Sequence, residues 1–210
     1  LNWLFSCKSG LRELNTGRTL IENNLCDNEL LLFFNEIPLT FSTTVKGHSI
    51  ELSQSNLVAF KRSIDDPQFI AGNYGYTSGR HYFEINLLTE PMIRSIVLGF
   101  AVLEDYNYYL KDIFYGFILS DMKKTIIDFK NDREEKMEDD GEVCTIKDKI
   151  GVLFDCKDDG VYISFYRNNK NLGIAFEKLP NNVTYYPMVE MGLCGSKVLI
   201  NNAVDFPDDC

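Results

Sequence analysis

The side chains in this sequence that could do chemistry are two histidines, six cysteines and an acidic turn, DCKDDG at 155–160. Each can be tested against what its chemistry requires. A general base must lie within reach of the proton it takes, yet His81 sits beside Tyr82 at the start of an apolar run. That position suits packing or hydrogen bonding better than catalysis. No nucleophile elbow, phosphate loop or dinucleotide fingerprint occurs. Zinc needs clustered Cys and His ligands, and no Cys-x-x-Cys pair is present. For calcium, Gly160 as the sixth loop residue puts Asp155 and Asp159 at positions one and five. Lys157 then takes the third and Tyr166 the twelfth, where oxygen ligands are required, so the loop fails. Cys156 is surrounded by Asp155, Asp158 and Asp159, which disfavour a thiolate. The expectation is a chain with no catalytic residue, no metal and no cofactor.

The bulk properties agree. With 210 residues and 45% hydrophobic composition, a single domain with a full core is expected. A net charge of −10 repels nucleic acid and anionic membrane surfaces alike. No apolar run approaches the ~18 residues of a membrane span. The opening LNWLFSCKSG has neither the basic leader nor the long core of a signal peptide. A chain starting with Leu is expected to be an excised fragment. The cysteine spacings are irregular, so reduced thiols and a cytoplasmic or nuclear location are expected. The sequon at Asn182 would matter only in a secreted protein.

The elements that must position any site read as strands. Residues 1–29 are the least regular part, an extension with at most one short helix. From LLLFF (30–34) onward the pattern turns to β: LTFST (39–43), HSIEL (48–52), LVAF (57–60), GRHYFEINLL (79–88), RSIVLGFAV (94–102), FYGFIL (114–119) and TIIDF (125–129). TYYPMVEM (184–191) and KVLIN (197–201) close the series. About a dozen short strands without a 3.6-residue apolar period predict an all-β, two-sheet antiparallel sandwich. The charge-dense 128–142 reads as a solvated loop.

Residues 150–177 show the pattern most clearly. Val161, Ile163 and Phe165 fall on one face of a strand, and Tyr162, Ser164 and Tyr166 on the other. Leu172, Ile174 and Phe176 share a face of the next. Asp159-Gly160 and Asn168-Asn169 stand where tight reversals must be. Ile150, Val152, Leu153 and Phe154 are apolar on both faces, as inside a sandwich.

These residues resemble the SPRY domain. The resemblance rests on GRHYFEI, VLGFA, KIGVLFDC, ISFYRNNKNLGIAFEKLP and YYPMV in that order, with HSIELSQSNLVAFKR upstream, over about residues 39–201. It implies a concanavalin-like jelly-roll sandwich and places an N-terminal extension at 1–29, the domain at 30–205 and a tail at 206–210. Such domains occur in ubiquitin-ligase substrate adaptors, Ran-binding scaffold proteins, ryanodine receptors and histone-methyltransferase subunits. The FEI and the lack of a preceding PRY pattern are closer to the stand-alone type than to the tripartite-motif type.

On a rigid sandwich, selectivity belongs to the loops. Two loops are rich in tyrosine, which offers a stiff apolar body and a hydroxyl: Tyr74 and Tyr76 in one, Tyr106, Tyr108 and Tyr109 in the other. In the SOCS-box SPRY adaptors an extended, asparagine-rich peptide is held by several loops. Arg62 is similar to their basic residue after the early strand. Ser63 and Asp65 replace their proline and alanine, Met191 and Leu193 lie near the position of their pocket tryptophan, and Asn107 falls nearest their pocket tyrosine. The resemblance therefore carries over the surface and not that ligand. The expected function is a non-catalytic module binding a protein or peptide segment through loops at one end, as part of a ubiquitin-ligase or scaffold complex. A lectin-like module and a structural domain of a larger channel or enzyme stay open at this point.

Overall fold

The structure is a computed structural model. It describes residues 2–6, 12–14, 31–35, 38–90, 96–103, 111–119, 123–128, 133–137, 144–146 and 148–201. The chain divides into two compact units, Leu1–Pro38 and Leu39–Cys210.

In the first unit, β1 (Asn2–Ser6), β2 (Arg12–Leu14) and β3 (Leu31–Asn35) form an antiparallel sheet in the order β2-β1-β3. Leu4 stands opposite Leu14 on one side and Phe33 on the other. This departs from an irregular extension. The run NWLFS is aromatic and aliphatic enough to prefer a pleated strand. Leu31–Asn35, in the run expected to open the sandwich, pairs with β1 instead.

The second unit holds β4 (Phe41–Lys46), β5 (Ile50–Ser53), β6 (Val58–Lys61), β7 (Gln68–Gly72), β8 (Arg80–Leu87), β9 (Ile96–Leu103) and β10 (Lys111–Ile118). It continues with β11 (Lys123–Asp128), β12 (Arg133–Met137), β13 (Lys149–Lys157), β14 (Gly160–Arg167), β15 (Lys170–Leu179), β16 (Tyr185–Met191) and β17 (Lys197–Asn201). One seven-stranded sheet runs β12-β11-β10-β9-β16-β7-β4 and the other β15-β14-β13-β8-β17-β6-β5. Every pairing is antiparallel, and no helix occurs among the described residues. The expected two-sheet sandwich is the observed fold.

Phe83, Ile85, Val152, Phe154, Ile163 and Phe165 of the second sheet meet Leu98, Phe100, Tyr115, Phe117, Val189 and Met191 of the first in one apolar core. Phe117 and Phe165 stack across the layers at 4.7 Å between ring centroids. The outer faces are apolar too. Val97, Ala101, Phe114 and Met188 cluster behind the first sheet, and Tyr82, Leu153 and Tyr166 behind the second.

The hairpin prediction holds. Val152 pairs with Phe165, and Asn168 and Asn169 turn the chain with φ of 51° and 66°, a left-handed conformation that Asn tolerates better than most residues. The face assignment of β15 needs correction at one residue. Phe176 pairs with Ile163 and is buried, but Ile174 pairs with Ser164 and is 51% exposed. Register shifts along β14 and β15 turn Ile174 to the other face, as any one-residue slip does. The segment 128–142 is also not wholly loop. Arg133–Met137 pairs with β11 as an edge strand, a place where charged sequence discourages further pairing.

Candidate interaction surface

The two ends of the sandwich differ, and β16 measures the distance between them. Tyr185 at its start bridges Tyr76. Met191 at its end pairs with Gln68 and Ile96. Six residue steps of strand separate the ends by about 20 Å. Arg62 and Leu193 belong to the end near Met191, called here the first rim. Tyr74 and Tyr76 belong to the other. The structure therefore does not unite these residues in one site. Tyr106, Asn107, Tyr108 and Tyr109 lie outside the described residues.

Two expected contact residues are core residues. Met191 is 0% exposed, because it shares the inward parity of Tyr185 and Val189 along β16. Tyr76 is 7% exposed. Its ring stacks on His81 at 4.0 Å with 7° between planes, and Phe100 and Phe154 close around it. Burial pushes the Tyr76 hydroxyl far above its ordinary pKa. His81 is thereby a packing residue, with Nε2 2.8 Å from the Ser78 carbonyl. Tyr74, half-buried, meets Tyr76 edge-on.

At the first rim, the connections that pass from one sheet to the other are tied together by backbone. Lys61 N–H donates to Ser196 O at 3.0 Å, Gly195 N–H to Lys61 O at 2.9 Å, and Arg62 N–H to Ser49 O at 3.0 Å. Gly195 has φ +89°, which is why a glycine ends that turn. Leu88 N–H donates to Lys197 O, and Ile146 N–H to Glu90 Oε2 at 3.1 Å. The Cys194 thiol donates to Arg62 O at 2.9 Å.

Beneath the loop 62–66 lies a fully buried lysine. Lys61 Nζ donates to the carbonyls of Ser63 and Asp65, each at 3.0 Å, and to the Asp65 carboxylate. A buried ammonium must be paired and hydrogen-bonded, so the loop is obliged to wrap it. Ser49 Oγ donates to the same carboxylate, and His48 Nε2 lies 3.1 Å from its other oxygen. Arg62, 67% exposed, pairs with Glu51 at 2.7 Å.

The clamped loops carry apolar side chains outward. Among the described residues the exposed large hydrophobics are Ile64, Leu88, Ile146, Ile174 and Leu193. All but Ile174 are on this rim, and Ile64 is 96% exposed. Sequence reasoning found Arg62 and Leu193 but missed Ile64, Leu88 and Ile146. The available signal was Ile64 itself, a lone aliphatic in the turn-forming SIDDP.

A second clamp holds Ile146. Asp148, 6% exposed, accepts from Arg167 at 2.7 Å, Asn168 at 2.6 Å and the Thr145 N–H at 2.8 Å. Burial raises the Asp148 pKa, but these hydrogen bonds outweigh it and leave the value lowered. The Lys61 hydrogen bond, against a smaller effect of burial, holds Asp65 well below the usual carboxylate range. Both folded values lie below the unfolded ones, so the stabilisation is complete above the unfolded pKa near 3.8 and is lost as pH falls through the folded values. Thermal midpoints measured from pH 7 down to 2.5 should therefore fall steeply at the acid end. Asp148→Asn should flatten that fall, and an unchanged acid limb would contradict the linkage.

Asp155 lies 3.6 Å from Arg80 and 3.5 Å from Lys157. No group of three or more His, Cys, Asp or Glu side chains is placed to hold a metal among the described residues. No disulfide joins Cys144, Cys156 or Cys194, and burial pushes the Cys144 thiol up to about 12.

A family model described as SPRY domain matches residues 80–203. The SPRY domain of human HERC1 is similar in structure at a TM-score of 0.59 and 16% identity, over 79% of this chain and 99% of that one. The TRIM65 PSpry domain gives 0.53 at 12% identity, over 77% and 89%. The Drosophila melanogaster neuralized NHR1 domain gives 0.52 at 13%, over 81% and 100%. At such identities the likeness is one of fold. No curated protein sequence matches the chain.

Proposed function

The chain belongs to the SPRY domain family, and from that premise we propose that its first rim binds a segment of another protein without catalysing a reaction on it. SPRY domains generally serve as protein-interaction modules. The observation that carries the reading is Ile64, an isoleucine 96% exposed on a loop clamped by the buried Lys61. A loop already ordered forfeits little entropy when a partner arrives. Ile64 and Leu193 supply apolar contact, and Arg62 with its Glu51 partner supplies a polar margin, the division usual in protein interfaces. The net charge of −10 favours encounter with basic or neutral segments. The SPRY resemblance supports a role in substrate recognition or scaffolding within a ubiquitin-ligase or signalling complex, in the cytoplasm or nucleus.

The test is affinity capture from cell extract by the whole chain and by its Ile64→Asp/Leu193→Asp variant. The variant should retain its thermal midpoint, since both side chains are exposed. Its yield of specific partners should drop at least about tenfold, as loss of two central apolar contacts implies. Undiminished capture by a folded variant would place the binding surface elsewhere.

A further inference from the structure

No further inference is drawn: the strongest candidate, the face of β8 turned away from the core, where Glu84 is 4% exposed and its Oε2 and the Oδ1 of Asn86 are buried with no hydrogen-bond partner among the described residues, carries nothing because nothing in the structure shows what covers that face.

Discussion

Phe165→Ala is expected to destabilise the domain by about 3–5 kcal/mol, the range for a buried phenylalanine truncated in a packed core. Phe165 is 1% exposed, and its ring lies on that of Phe117 from the opposite sheet, 24° from parallel. Truncation removes the transfer free energy of a benzyl group, forfeits the ring contact and leaves a void between the layers. The void cannot close easily. β14 is held on both sides, by β13 and β15, so neither sheet can move inward without breaking ladder bonds. Chemical denaturation with circular dichroism should show a lower midpoint at unchanged slope. A loss below about 1 kcal/mol would mean that the side chain does not face the core.

Gly99→Ala is the second large effect, from crowding rather than loss. Gly99 on β9 stands opposite Gly116 on β10. A Cβ on Gly99 would lie 2.0 Å from the Tyr115 carbonyl oxygen. That oxygen belongs to the backbone of the neighbouring strand and has no rotamer to escape into. Relief requires the β9–β10 ladder to open at its centre, at a cost of about 3 kcal/mol. Gly116→Ala provides the contrast. Its added Cβ would first meet Cγ1 of Val97, a side-chain atom that can turn away, so a cost nearer 1 kcal/mol is expected. Equal midpoints for the two variants, or the reverse order, would contradict this packing.

The fold was legible because a pleated strand must alternate and a turn must accept left-handed backbone. VYISFYR, with Asp159-Gly160 and Asn168-Asn169 around it, fixes both constraints within a few residues. Alternation fails as a guide where register slips, and Ile174 is misread for that reason. The site was legible only in part. Tyr76 sits between Gly75 and a polar stretch, as a binding tyrosine would, and nothing local says that its ring turns inward. Met191 can be placed by parity with Tyr185 and Val189, whereas the resemblance puts it near the pocket tryptophan of the SOCS-box SPRY adaptors. Ile64 was overlooked because its exposure depends on Lys61, whose burial is a tertiary fact. Leu88 and Ile146 join the rim only through sheet order, which brings residues 58 positions apart in the chain to adjacent strand ends.

Three connections on that rim have one foot in either sheet: β6 to β7, β16 to β17 and β4 to β5 all change layers there. Whatever grips the rim therefore fastens the two halves of the domain at once and resists their sliding past each other. Occupancy should be felt as mechanical reinforcement, with slower opening of the layers and raised melting in proportion to saturation. Conversely, a defect deep between the sheets would loosen recognition at the edge without touching a single contact residue.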